Sequence, residues 1–137
     1  MGRMASSLFC YGTLEFPEIM FRVTGEIFPS EPAWISDYAR YLVKNQSFPG
    51  LVYEPGACTS GTLYHEIKPR HFKRLDAYEG LLYSKEEIFT ETEDGDFCRA
   101  LVYVVPEKKK SILTSRSWDR MSFAKQNYFQ FLKREFR

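Results

Sequence analysis

Apolar positions along the chain fall in short runs and alternations more often than in helical stripes. Leu8–Tyr11 is apolar at every position, the pattern of a strand covered on both faces. The run breaks at Gly12-Thr13-Leu14 without the polar residues that usually build a turn. Pro17 suits the first turn of a short helix carrying Ile19 and Met20. Ala33–Val43 reads as a strand, although Ile35, Tyr38, Ala39 and Leu42 also suit a helix. Phe48–Tyr53 opens on a Pro-Gly pair and continues as a short apolar strand that Pro55-Gly56 stops. Gly61–Ile67 alternates, with Leu63, His65 and Ile67 on one side and Thr62, Tyr64 and Glu66 on the other.

Lys68–Gly80 follows as a helix, with Pro69 placed for its start and Gly80 for its end. Lys85–Glu93 and Phe97–Val105 flank Asp94-Gly95, a strong hairpin signal. Pro106–Ser117 is charged and rich in Ser and Thr, and reads as a long loop inside the domain. Ser117 can cap a last helix with Asp119 in its first turn. There Met121, Ala124, Tyr128, Phe131 and Leu132 form one apolar stripe, and Lys125, Lys133 and Arg134 lie on the polar side. Strands cluster and helices are few, so the fold class is α+β, with a mixed or largely antiparallel sheet able to curl into a barrel.

The 137 residues show no repeat or linker, and one domain spanning 1–137 is expected. With 17% aromatic residues, both the core and any pocket should have bulky aromatic walls. A formal charge of +1 with scattered basic residues lacks the footprint of a nucleic-acid binder, and Lys108-Lys109-Lys110 reads as a solvated loop. No window has the apolar length of a membrane span, and the first residues lack the apolar segment of a signal peptide, so the protein is expected in the cytoplasm. Cys10, Cys58 and Cys98 are odd in number and widely spaced, which suits reduced thiols. Met1-Gly2-Arg3-Met4-Ala5-Ser6 fits a permissive myristoylation pattern but reads as a frayed tail, and Asn45-Gln46-Ser47 is a glycosylation sequon without meaning unless the chain is secreted.

The residue out of place is Glu79. On the helix from Pro69 it shares an arc with Phe72 and Leu75, while Arg70, Lys73 and Arg74 take the opposite arc. A carboxylate on the core-facing stripe, at the negative end of a helix dipole, has its pKa raised by both effects. Such a group can hold a proton in one step and release it in the next, as a general acid/base must. The alternatives are a Glu79 that turns aside into solvent or pairs with Lys85. His65 and His71 lack metal-ligand spacing with each other or with any Cys, so no metal site is expected. Cys10 as a thiol nucleophile is less favoured than Cys10 as a small apolar core residue.

With Tyr11-Gly12-Thr13-Leu14 closing the first strand and Asp76-Ala77-Tyr78-Glu79-Gly80 closing a helix, the chain resembles the gamma-glutamylcyclotransferase-like family, of the gamma-glutamylamine cyclotransferase type. Phe48-Pro49-Gly50-Leu51 and Gly61-Thr62-Leu63-Tyr64 fit the same pattern in the same order, and Tyr83 and Lys85 stand where the family often has Tyr-x-Arg; the likeness runs from about Leu8 to Val105. The resemblance implies a small mixed barrel with flanking helices, a pocket at one barrel opening, and no metal or organic cofactor. It also implies a small-molecule substrate bearing a γ-glutamyl group, whose α-amine attacks the γ-carbonyl to give 5-oxoproline and a free amine. Glu79 then becomes the general acid/base. Tyr11, Gly12, Thr13 and Leu14 become a backbone nest for the substrate's α-carboxylate, and Phe48 and Tyr83 become pocket walls, together with Tyr53 and the loop after Pro106.

Two departures stand out. Glu15 follows Leu14 where a basic or neutral polar residue is common, and would weaken attraction for an anion; Lys85 removes the bidentate fork of an Arg. The competing function is a catalytically silent module that binds a small molecule or a partner in the same pocket, with a different acyl-transfer or amide-cleaving reaction as a third. Neither the leaving amine nor the oligomeric state is legible.

Overall fold

The structure, a computed structural model, describes residues 5–136. The myristoylation pattern therefore lies largely outside the described residues. Five strands, β1 Ser6–Cys10, β2 Ser30–Leu42, β3 Pro49–Ile67, β4 Ser84–Thr92 and β5 Phe97–Val104, close into a barrel in the order β1-β3-β2-β4-β5. Every pairing is antiparallel except β1 with β5, which run parallel with Leu8 opposite Leu101. This is the mixed barrel expected, and its closure removes exposed sheet edges. Around it lie α1 Pro17–Thr24, α2 Pro69–Glu79, α3 Arg120–Gln126 and α4 Tyr128–Glu135. No helix among the described residues is long and apolar enough to cross a membrane.

The all-apolar stretch Leu8–Tyr11 is explained by its two neighbours. Phe9 and Tyr11 pack with Ala33, Ile35, Leu51, Leu63, Ala100 and Val102 inside the barrel. Leu8 and Cys10 face outward against Ile19, Met20, Phe72 and Leu75 of the helices. Ala33–Val43 is the strand that its reading favoured: Ala33 and Ile35 are buried at alternate positions of β2.

Three expectations are corrected. The strands around Phe48–Tyr53 and Gly61–Ile67 are one, β3, and Pro55-Gly56 does not end it. Ser36 pairs with Cys58 and Tyr38 with Tyr53, so residues 54–57 bulge opposite Asp37 alone. Asp37 (φ 66°) and Gly56 (φ 89°) take the left-handed backbone this needs, and the Gly56 amide donates to Asp37 Oδ1 at 2.9 Å. Pro55, which has no N–H for the ladder, sits where the ladder is interrupted.

The last helix is two. Its cap is Asp119, whose Oδ2 accepts the Ser122 amide at 2.8 Å, and the chain breaks at Asn127 between α3 and α4. The break rotates one face against the other, so Met121 is exposed while Phe123 and Phe131 are buried. The loop after Pro106 contains a 3₁₀ turn, Glu107–Ile112, in which Lys110 pairs with Glu107 and Lys109 Nζ donates to the Leu81 carbonyl.

Candidate active site

Where β1 ends, the chain turns tightly. Gly12 precedes the 3₁₀ turn Thr13–Glu15, whose hydrogen bonds run from the Glu15 amide to the Gly12 carbonyl (3.0 Å) and from the Phe16 amide to the Thr13 carbonyl (3.2 Å). The Thr13 and Leu14 amides, at the start of the turn, have no partner within it. A glycine is required because a Cβ at position 12 would stand 2.9 Å from Cγ of Pro49. The turn is fixed from several sides. Thr13 Oγ1 shares a 2.8 Å hydrogen bond with the Tyr78 hydroxyl, the Tyr64 hydroxyl donates to the Leu14 carbonyl at 2.7 Å, and Arg40 Nη1 donates to the Tyr11 carbonyl at 2.9 Å.

Helix α2 delivers the carboxylate. Phe72 and Leu75 anchor its inner face in the core, and Glu79, its last residue, lies on the same arc. Lys85 does not pair with Glu79: its Nζ lies 3.1 Å from both carboxylate oxygens of Asp76, which also accepts the Tyr103 hydroxyl at 2.6 Å. Among the described residues no cation pairs with Glu79. Burial, and secondarily the negative charge of Asp76, raise its pKa to about 8.

These elements enclose one cavity of about 160 Å³. Seven of the residues singled out in the sequence line it: Tyr11, Gly12, Thr13, Leu14, Phe48, Tyr83 and Glu79. The Tyr83 hydroxyl donates to the Pro49 carbonyl at 2.7 Å, so its ring forms a fixed wall. Burial raises the pKa of Tyr11, Tyr78, Tyr83 and Tyr103, which keeps all four phenols neutral donors. It also keeps Cys10, another lining residue, a neutral thiol and a poor nucleophile.

Sequence reasoning missed Tyr78, Tyr103, Phe131 and Glu135, which also line the cavity. Tyr78 was visible as the neighbour of Glu79, whereas Tyr103 looked like any core position of a hairpin strand. Phe131 and Glu135 come from α4, whose register follows from the break at Asn127. Tyr53 is not a wall: it is half-exposed on β3 and packs edge-on against Tyr38, and the loop after Pro106 does not reach the cavity.

Glu15, the suspected repulsive group, points elsewhere. It is buried, accepts from Thr62 Oγ1 at 3.1 Å, and lies 3.7 Å from both Arg40 and Arg120. The histidines are remote too: His65 bridges Ser7 (2.8 Å) and Glu31 (2.6 Å), while His71 Nδ1 accepts the Lys68 amide at the start of α2. Among the described residues no group of three or more His, Cys, Asp or Glu is disposed to hold a metal ion. Among the described residues no Lys, Arg or His lines the cavity. The turn amides are the lining donors open to an anionic ligand group, because the Tyr11, Tyr83 and Tyr103 hydroxyls already donate to the Tyr103 carbonyl, the Pro49 carbonyl and Asp76.

Compared with known proteins, residues 8–120 match the model of the family described as gamma-glutamyl cyclotransferase, AIG2-like. The chain belongs to that family. It is 25% identical over 87 residues to AIG2-like protein C of Arabidopsis thaliana, covering 64% of this chain and 51% of that protein, so it spans about half the length of this curated relative. Among solved structures, an Arabidopsis thaliana protein of known solution structure superposes with a TM-score of 0.74 at 16% identity, over 96% of this chain and 88% of the other. A structure named gamma-glutamyl cyclotransferase superposes with a TM-score of 0.68 at 16% identity, over 94% and 86%. At such identities the shared property is the fold, a barrel with flanking helices.

Proposed function

We propose that the chain is a gamma-glutamyl cyclotransferase acting on small γ-glutamyl compounds. The observation that carries the proposal is an unpaired carboxylate of raised pKa, Glu79, in the same cavity as the Gly12–Leu14 turn. The substrate's α-ammonium is not nucleophilic until it loses a proton. Ionised Glu79 accepts that proton, the amine nitrogen attacks the γ-carbonyl carbon, and a tetrahedral intermediate forms. The intermediate collapses with cleavage of the C–N bond to the leaving group: Glu79 returns its proton to the departing nitrogen, and the second proton of the attacking nitrogen passes by way of Glu79 to the freed amine, which leaves as an ammonium. The products are 5-oxoproline and a free amine, and the atoms balance without a cofactor.

A pKa near 8 suits both halves of this cycle, because proton uptake and return are then nearly matched near neutral pH. The Thr13 and Leu14 amides are available for the substrate's α-carboxylate, a role that fits a cavity in which no described lining residue is cationic. Since attack is intramolecular, the aromatic walls contribute by holding the chain in a bent, near-attack shape. Three unpaired cysteines, Cys10, Cys58 and Cys98, favour a reducing, cytoplasmic setting for this work.

The test is 5-oxoproline release from a panel of γ-glutamyl amides and peptides, with Glu79→Gln alongside. The expected result is turnover by the wild-type chain and a drop of roughly 10²–10⁴ in kcat for the variant. Thermal stabilisation by γ-glutamyl ligands without any product would support a silent binding module instead. Turnover without 5-oxoproline would indicate another acyl transfer, and full activity in Glu79→Gln would remove that residue from the mechanism.

A further inference from the structure

Helix α4 borders two recesses. Phe131 and Glu135 line the cavity of Glu79, whereas Asn127 and Arg134, two turns apart and so on one face, line a separate groove of about 520 Å³. Its other walls are the turn between β2 and β3, which brings Asn45, Gln46 and Ser47, the loop that carries Arg116, and the α3 face of Ser122 and Gln126. Buried Trp118 and Phe123 underlie it. These walls are tied together. The Arg116 carbonyl accepts the Leu42 amide at 2.8 Å, its amide donates to Thr114 Oγ1 at 3.2 Å, and Trp118 Nε1 donates to the Ser47 carbonyl at 2.9 Å.

Three polar groups of the groove are unspent. Among the described residues neither the Arg116 nor the Arg134 guanidinium has an ion-pair or hydrogen-bond partner. Ser47 Oγ is buried and also makes no hydrogen bond, which costs free energy until a partner reaches it. The acid on the lining, Asp119, is engaged: its Oδ2 accepts the Ser122 amide at 2.8 Å, and the charges of Arg40 and Lys125 act on it. Two free guanidiniums beside one engaged carboxylate favour an anion, and their planar forks match oxyanions bidentately. A phosphate, with three terminal oxygens and close to two negative charges, can engage both arginines and the Ser47 hydroxyl together, where a carboxylate has only two oxygens to share. The side-chain amides of Asn45, Gln46 and Gln126 offer donors and acceptors to a polar body attached to it. We propose that this groove is a second ligand site, independent of the cyclotransferase reading, that binds a small polar molecule through a phosphate group.

The test is calorimetry at low salt with glycerol phosphate, inorganic phosphate, succinate and glycerol, together with amide chemical-shift mapping. The expected result is one saturable site per chain for glycerol phosphate, weaker binding of inorganic phosphate and succinate, no binding of glycerol, and shifts centred on Ser47, Arg116 and Gln126. Arg116→Gln and Arg134→Gln, at exposed positions, should each weaken glycerol phosphate about 10- to 100-fold. Lys108→Gln, an equal change of charge outside the groove, and Glu79→Gln should leave its Kd within about twofold. No saturable binding up to about 10 mM, a Kd unmoved by both arginine variants, equal weakening in Lys108→Gln, or succinate binding as tightly as glycerol phosphate would each overturn the proposal. So would a Kd moved by Glu79→Gln, which would place the anion in the other cavity.

Discussion

Asp76 and Glu79 lie one helical turn apart on α2, and only one of them is neutralised. Asp76 is held by Lys85 Nζ at 3.1 Å and by the Tyr103 hydroxyl at 2.6 Å, while Glu79 faces the cavity and pairs with no cation among the described residues. After burial, the negative charge of Asp76 contributes to the raised pKa of Glu79. Because the Asp76–Lys85 pair is partly exposed, its influence is screened and modest. Glu79 should therefore set an acid limb near pH 8 in kcat/KM, with activity rising tenfold per pH unit below it. Asp76→Asn should move that limb downward by less than about one unit, whereas Tyr103→Phe, which retains the charge, should not. A pH–rate profile of the three proteins on one substrate checks this, and an unmoved limb in Asp76→Asn would mean that burial acts alone.

The same carboxylate should make the fold less stable in alkali. Glu79 titrates near 4.5 when unperturbed and near 8 in the fold, so between those values the folded state binds the extra proton. Its contribution to stability is complete below about pH 4.5 and drains away as pH rises to about 8. Glu79→Gln removes that drain. Urea unfolding should find the two proteins close at about pH 5, and the variant more stable by on the order of 2–4 kcal/mol at about pH 9. Parallel stability curves would place the carboxylate in solvent.

What could be read from the chain follows from how local each signal is. Glu79 was legible because Pro69 and Gly80 bracket one helix, and within a single unbroken helix angular position is arithmetic. Leu8–Tyr11 was legible because burial on both faces leaves no polar position. Pro55-Gly56 misled because these residues mark a bulge as readily as a strand end, and the choice depends on Asp37, on another strand, which supplies a carboxylate to the Gly56 amide. Glu135 and Phe131 were hidden because one break, at Asn127, changes the facing of every later residue. Arg40 gave no signal at all, since its partners, the Tyr11 and Ser60 carbonyls and Glu15, lie on other segments of the chain.

The Gly12 turn offers a steric test of the anion nest. A Cβ there would overlap Pro49 Cγ at 2.9 Å, and Pro49 is buried at the start of β3 with its carbonyl held by Tyr83. The turn must shift to relieve the contact. Gly12→Ala should cost about 1–3 kcal/mol and raise KM far more than it lowers kcat, because in the proposed reaction the displaced amides meet the substrate's carboxylate in ground and transition states alike. Thermal melts and steady-state kinetics read the two effects separately. An unchanged KM would detach this turn from substrate binding.

Arg40 ties the floor of the site to a buried charge. Its Nη1 donates to the Tyr11 carbonyl at 2.9 Å and to the Ser60 carbonyl at 3.1 Å, lies 3.7 Å from Glu15, and the guanidinium sits 5.6 Å from the Trp118 ring centroid. Burial raises the pKa of Glu15, while the Thr62 hydrogen bond and the charges of Arg120 and Arg40 pull it down. Arg40→Ala removes one of those charges and leaves the Tyr11 carbonyl without that donor, at a cost of about 2–4 kcal/mol near neutral pH. Because the remaining Glu15 carboxylate must ionise in a site pushed further upward, its share of the loss appears above about pH 4.5 and disappears in acid. Glu15→Gln in the Arg40→Ala background should therefore recover part of the lost stability at about pH 7 and little at about pH 4. Additive single-variant effects at both values would mean that Arg40 supports the turn through its hydrogen bonds alone.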